Sequence, residues 1–413
     1  MLLSLGTNFL TRIPGVIGVL WFLPLLRSGL GVEGYADLLT SMALGASASF
    51  LIGGTSVIGR RLIGEAYAIG DRVGEADGFI SLMVASAAVF VLALGGVAAY
   101  CYLRGADTTF LVISMIPVTC LFANTFDNVR SAYNEHYVTA ILLIVFQVII
   151  YSIGFLVPGT RNSIVLGALV LQAPYFFASV VTGLLLLRDR SYLAGGRPSA
   201  AWQVMHGGTT LALADGFLMT SLSLSVVWLQ ASASAATAAW FGSIVRLFQT
   251  FLVPIVLLLT PLSSYIRILW NTKSIMQQKV FIKATLLIGL SYGAMVAIVL
   301  FVASRLYVDH LLNLPAPGGL SQILPSFLLF GAIVAYRSYS SIAYLVLDEF
   351  SHLASWTAGV VAAAVLLGAA TSFAIDPLSA INVYALAAGS LIIIVLFWNV
   401  MRSGRSARNA SAG

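Results

Sequence analysis

Apolar runs near residues 4–26, 35–58, 78–102, 108–126, 137–157, 163–187, 208–230, 236–262, 284–303, 323–347, 353–374 and 379–400 recur along this chain, each 19 to 27 residues long. No other feature constrains the fold as strongly. About 20 residues at a rise of ~1.5 Å cross the ~30 Å hydrocarbon core of a bilayer, and only helices and closed barrels satisfy their backbone polar groups there. A barrel strand would alternate apolar and polar residues over about ten positions, whereas Ile164 to Leu187 is apolar on every side. The chain is therefore expected to be an all-α integral membrane protein with twelve transmembrane helices. Composition leaves little for anything else: of 413 residues, 60% are hydrophobic and 9% charged, and the mean hydropathy is +0.98. A large soluble domain is excluded.

Lys and Arg set the orientation of such a chain. Connections after even-numbered helices and the tail hold Arg60, Arg61, Arg72, Arg130, Arg188, Arg190, Arg197, Arg267, Lys273, Lys279, Lys283, Arg402, Arg405 and Arg408, fourteen of the 21. The opposite connections hold Arg27, Arg104, Arg161 and Arg305. Both termini are thus expected in the cytoplasm, with the protein multi-pass in the cell inner (cytoplasmic) membrane. Most of the net charge of +6 is this topological signal, so it gives no reason to expect nucleic acid as a partner. Trp202, Trp270 and Trp398 at cytoplasmic helix ends, and Trp228 and Trp240 at the opposite ends, read as interfacial anchors.

The longest cytoplasmic connection, Arg188 to Met205, contains Gly195, Gly196 and Pro198 with six runs on either side. It suggests two pseudo-symmetric six-helix lobes, 1–195 and 196–413, the second ending in a short basic tail, with a substrate path between them. Leu62, Ile63, Ala66, Tyr67, Ile69 and Val73 among the charges of 59–78 suggest a surface-lying helix. Cys101 and Cys120 lie at depths about 18 Å apart at ~1.5 Å per residue, so two buried free thiols are expected. His136, His206, His310 and His352 lack ligand spacing and suggest no metal site. Gly29, Gly31 and Gly34 in GLGVEG match a dinucleotide-binding pattern, but between two membrane runs they read as a tight turn.

That turn also begins a family resemblance. Leu30-Gly31-Val32-Glu33-Gly34-Tyr35, Thr11-Arg12-Ile13-Pro14-Gly15, Gly53-Gly54 followed by Arg60-Arg61-Leu62-Ile63 and Gly70-Asp71, and Trp240 to Leu247 running on to Pro254 and Thr260-Pro261-Leu262-Ser263 resemble motifs in the first, second and eighth helices of polysaccharide flippases. Those proteins belong to the multidrug/oligosaccharidyl-lipid/polysaccharide exporter superfamily. The resemblance implies a flippase for a polyprenyl-diphosphate-linked oligosaccharide of the O-antigen or exopolysaccharide type. It also implies as partners the lipid-linked oligosaccharide, membrane lipids, and the polymerase and glycosyltransferases of the same pathway. Twelve helices set the chain apart from the fourteen-helix branch that handles peptidoglycan precursors.

Residue chemistry points the same way. Charges within the bilayer are expensive and are retained for a partner or a function. Arg246, about 15 Å into its helix at ~1.5 Å per residue, is too deep for easy snorkelling. Arg12 and Arg337 also fall inside helices, and Tyr336, Ser340 and Tyr344 form an i, i+4, i+8 stripe that can offer aromatic faces to sugars. Against these three arginines stands one clearly intramembrane acid, Asp215, since Asp37 and Asp127 lie near helix ends. A guanidinium matches phosphate oxygens bidentately, so the balance favours an anionic substrate. Asp215 reads either as the partner of an arginine or as an H⁺ or Na⁺ site coupling transport to a gradient. No nucleotide motif or other cofactor signature is present. Arg12 and Asp215, at similar positions in the first and seventh helices, are expected to pair as a cytoplasmic gate, and Asp127 to pair locally with Arg130. The alternatives are a cation-coupled multidrug exporter of the same fold, or a membrane polymerase or ligase acting on lipid-linked sugars. The enzyme would need a polar external loop richer than Arg305 to Gln322, and an enzyme is not expected.

Overall fold

The computed structural model describes residues 12–133, 135–212, 217–250, 275–317, 320–346 and 376–409. Among the described residues the regular structure is wholly helical, and seven helices are long and apolar enough to cross a membrane. The run 353–374, the second half of 236–262 and Asp215 lie outside the described residues.

The chain divides into two compact units, Leu2–Gly242 and Ser243–Gly413. The first opens with α1 (Arg12–Ala48), in which two helices join at Gly31. Gly31 has φ 73°, a left-handed conformation that costs a side-chain-bearing residue about 1 kcal/mol or more. The expected turn is thus compressed to a single residue. α2 (Phe50–Ala68), α3 (Arg72–Arg104), α4 (Thr108–Ala123), α5 (Thr125–Ala132), α6 (His136–Leu156) and α7 (Ile164–Asp189) follow, then α8 (Ala201–Leu211) and α9 (Phe217–Ser232). α8 packs on α2 and α3, and α9 on α1, so both belong to the first compact unit. A helix over 235–250, α10, carries the boundary between the units within it. The six-helix lobes divided at 195/196 remain a proposal about sequence symmetry rather than about contacts. In the second unit α11 (Ile275–Ala303), α12 (Leu320–Val346) and α13 (Pro377–Asn409) pack on one another.

Short polar residues start these helices because their side chains accept from backbone N–H groups that lack helical partners. Asp71 accepts from Gly74 N at 2.9 Å, Asp107 from Phe110 N at 2.7 Å, Ser234 from Thr237 N at 3.2 Å, and Asp376 from Leu378 N at 3.0 Å. Apolar side chains such as Leu92, Leu184 and Ile288 stand outward, each more than 60% exposed, as a lipid solvent permits. Small residues let helices approach closely. A Cβ on Gly293 of α11 would stand 2.3 Å from the Gly331 carbonyl oxygen of α12, and one on Gly54 of α2 would stand 2.0 Å from that of Gly208 in α8.

Several sequence expectations change. Residues 59–68 continue α2 and 72–78 begin α3, with Ile63 fully buried in a cluster with Phe79, Leu82, Val129 and Leu193, so no separate surface helix lies there. The apolar residues among the charges belong to helix ends packing on one another. Trp240 is 1% exposed and fills the interior instead of anchoring an interface, because its side of α10 faces protein. Cys101 and Cys120 are buried free thiols.

Candidate functional site

α10 starts at the Ser234 cap and buries every residue from Ala238 to Phe248 except Arg246, which is half-buried. The cation is therefore the one point on this stretch that meets accessible space. Its Nη1 donates to Gln249 Oε1 at 3.4 Å, and its carbonyl accepts from Thr250 Oγ1 at 3.1 Å. Among the described residues it forms no ion pair. Arg337 repeats the pattern on α12, half-buried between residues 329–336 and Ser338, all buried. α10 and α12 meet through Phe248 and Phe330, whose ring centroids lie 4.6 Å apart.

The other sequence candidates fall in different places. Tyr336 is fully buried beside Arg337. Ser340 and Tyr344 lie on the helical backbone of α12, and Arg12 is the first residue of α1, three before Gly15. The side chains of those three are outside the described residues, as is the whole of Asp215, so the proposed Arg12–Asp215 gate is not seen.

A second arrangement, in the first unit, was not anticipated. Asp37, half-buried on α1, accepts from Gln230 Nε2 of α9 at 2.8 Å. Gln230 Oε1 and the hydroxyl of Thr40, which is 1% exposed, are buried without a hydrogen-bond partner. The charges acting on Asp37 are those of Asp107 and Glu33, both negative. On α6, Gln147 is fully buried with neither amide atom partnered, pressed against Gly15. Sequence hinted at Asp37 only as an acid near a helix end, since its pairing with a residue 193 positions away is a tertiary fact.

At the arginine-rich connections a third cluster brings opposite charges together. Arg130, 4% exposed, donates to Glu135 and, at 2.9 Å, to Asp189; Arg190 donates to Glu135 at 2.9 Å. The expected Asp127–Arg130 pair is thereby corrected. Three residues apart on a helix is near enough, but Glu135 and Asp189 converge on Arg130, and Asp127 acts electrostatically on Arg60 instead. The Arg190 guanidinium lies 3.8 Å from the Tyr133 ring centroid and 5.5 Å from that of Tyr67. Tyr133 and Tyr192 both donate to the buried Glu75, at 3.0 and 2.6 Å. Burial first, and then Glu75, push both phenols above their ordinary pKa. Burial works against the Arg190 cation, but hydrogen bonds with Tyr192 and Glu135 outweigh it and raise its pKa. Asp77 accepts from Arg197 N at 2.7 Å and Ser199 Oγ at 3.1 Å, and Ser81 Oγ from Ala200 N at 3.0 Å. Apart from Arg130 Nε, which is buried without a hydrogen-bond partner, these contacts answer one another, and the cluster is a clasp holding the 190–200 connection to α3.

No family model matches the sequence, and no curated protein matches it. Solved structures do match over nearly the whole chain. A MATE multidrug transporter, DinF-BH, has a TM-score of 0.62 at 16% identity, covering 96% of this chain and 95% of its own. A Vibrio cholerae MATE transporter, VcmN, in mutant form gives 0.60 at 14% identity, covering 98% and 97%. An inward-facing multidrug resistance transporter of the MATE family, described as belonging to the MOP superfamily, gives 0.59 at 13% identity, covering 99% and 100%. At such identities the likeness concerns fold: this chain has an all-helical membrane fold similar to that of MATE transporters.

Proposed function

We propose that the chain is a secondary transporter of the cytoplasmic membrane that moves an amphipathic anion by alternating access. The observation that carries this reading is Arg246, a cation half-buried in an otherwise buried stretch of α10 and partnered there by an amide. Such a guanidinium stays charged at any relevant pH and offers a fork to phosphate oxygens. Arg337 supports the same chemistry. A polyprenyl-diphosphate-linked oligosaccharide supplies the diphosphate, and the sequence motifs of the first, second and eighth helices favour it as substrate.

Multidrug export is the second reading, favoured by the fold, since the similar structures are multidrug transporters. The fold supports it at least as well as it supports the flippase, and it requires carboxylates facing a cationic substrate, for which Asp37 and Asp215 are the candidates. Proteoliposomes loaded in parallel with a lipid-linked oligosaccharide and with a cationic dye separate the two. The first reading expects gradient-dependent movement of the oligosaccharide lipid, lowered at least tenfold by Arg246→Ala and partly restored by Arg246→Lys. Dye movement without oligosaccharide movement, insensitive to Arg246, assigns the chain to drug export.

Coupling to an H⁺ or Na⁺ gradient fits a sequence without a nucleotide motif, and Asp215 is the proposed coupling acid. Full gradient-dependent activity of Asp215→Asn would remove it from that role. The Arg12–Asp215 gate is retained as a proposal: cysteines at the two positions should cross-link and arrest transport, and no cross-link under any gradient refutes it.

A further inference from the structure

The cytoplasmic connections of the two halves carry equal numbers of cations and very different numbers of acids. Residues 59–78, 126–137 and 188–205 hold seven arginines against seven acids. Many of these meet: Glu65 pairs with Arg61, and Glu135 and Asp189 pair with Arg130 and Arg190 in the clasp. Residues 263–283, 348–352 and 401–413 hold seven cations against two acids, Asp348 and Glu349. The first half is neutral on this side, and the second keeps a net positive charge. The helices α11 and α13, which carry five of those seven cations, contain no Asp or Glu at all.

Packing in the second unit fixes how deep those cations stand. A Cβ on Gly293 of α11 would lie 2.3 Å from the Gly331 carbonyl oxygen of α12, and one on Gly389 of α13 would lie 3.6 Å from Cα of Leu329, two residues from Gly331. The three helices therefore share a level, close to the middle of the Pro377–Phe397 span of α13. In the orientation read from the charges, α11 leaves the cytoplasmic side and α13 returns to it. At a rise of ~1.5 Å per residue, Lys283 stands ~15 Å from that level, and Lys279 and Arg402 stand ~20 Å from it. The hydrocarbon core reaches ~15 Å from the midplane and the headgroups ~22 Å. Helical backbone continues to Asn409, which puts Arg405 and Arg408 within ~10 Å of the headgroups, about one Debye length. Cations at this depth, on helices that themselves cross the core, meet phospholipid before any soluble partner.

We propose that the cytoplasmic ends of α11 and α13, through Lys279, Lys283, Arg402, Arg405 and Arg408, form a docking surface for anionic phospholipid headgroups of the cytoplasmic leaflet. The charge complementarity is that of a polybasic segment beside a membrane span, and the neutral cytoplasmic connections of the first half lack it. The inference rests on the orientation of the proposed transporter and is independent of its substrate. Lipid binding is read on the resting protein without cargo or gradient, so failure of the transport reading and failure of this one are separable.

The measurement is the thermal unfolding of the full-length protein in a neutral detergent, titrated with phosphatidylglycerol against phosphatidylcholine at constant ionic strength. Phosphatidylglycerol should raise the melting temperature saturably where phosphatidylcholine does not. The triple change Arg402→Gln, Arg405→Gln and Arg408→Gln should weaken the apparent affinity at least tenfold, and Lys279→Gln with Lys283→Gln several-fold. Replacing the same three arginines by lysine should keep it within threefold, since mobile headgroups answer a point charge as well as a fork. Salt at about 1 M, where the Debye length is ~3 Å, should weaken it at least tenfold. Arg188→Gln with Arg197→Gln, in the first unit, should change it less than twofold. If the triple glutamine variant does not fold, the lysine pair carries the test. An equal response to the two lipids, a phosphatidylglycerol response unchanged in the triple and the paired variants, or an equal loss in the Arg188 and Arg197 control overturns the surface. A response to inorganic pyrophosphate as large as that to phosphatidylglycerol overturns it also and points to a soluble polyanion.

Discussion

Arg130 and Arg246 are both arginines in helices of an apolar chain, and their surroundings give them opposite fates. Arg130 meets two carboxylates and is 4% exposed, so the residue that matters for stability is the acid bridging it to Arg190. Glu135→Ala leaves two guanidinium groups short of a partner, which should cost about 3 kcal/mol, near the lower end for breaking a buried pair because Glu135 is 25% exposed. Glu135→Gln should cost less; a thermal melt of both variants in detergent checks the order. The phenols of the clasp give a pH prediction. Their pKa is raised on folding, so the stability they contribute is whole below about pH 10, the ordinary tyrosine value, and is lost as pH rises beyond it. Tyr133→Phe removes part of that alkaline dependence; ultraviolet titration should show the loss of one late-ionising tyrosine. Arg246 was legible in the sequence because depth along an apolar run is visible there. Asp37 was not, because what marks it is an amide from another helix and a hydroxyl left without a partner.

Helix identity was the most legible level of all. α3, α4, α6, α7, α12 and α13 each cover or nearly cover an apolar run read from sequence, since the length of the run sets the length of the helix. What periodicity missed were events within helices: the single-residue kink at Gly31, the interruption at Ser49 between α1 and α2, and the break at Asn124 between α4 and α5. Each of these leaves hydropathy unchanged. Close helix crossings were equally invisible, since a glycine in an apolar run reads as composition until its neighbour is known. Gly293→Ala should therefore destabilise α11 against α12 by about 1–3 kcal/mol, because the added methyl meets a backbone carbonyl rather than a movable side chain. Gly95→Ala, where a Cβ meets nothing within 4 Å, is the control and should be neutral or slightly stabilising. Relative melting temperatures decide between them.

For the molecule as a whole, hydropathy and charge foretold an all-helical membrane fold, and the similarity to MATE transporters bears that out. The substrate is not legible at this scale, because one fold hosts many cargoes and the choice rests on a few side chains. The connection at 190–200 read from sequence as the pliant midpoint of the chain, and the structure rivets it down. Tyr192 and Leu193 on one side of Gly195 are anchored by Glu75 and by burial, while Arg197, Ser199 and Ala200 on the other are bonded to α3. A peptide backbone severed between Gly195 and Gly196 would consequently have both new ends already moored. The gene could be split there into two open reading frames, and the two polypeptides should co-purify as one complex through detergent extraction without a covalent link between them.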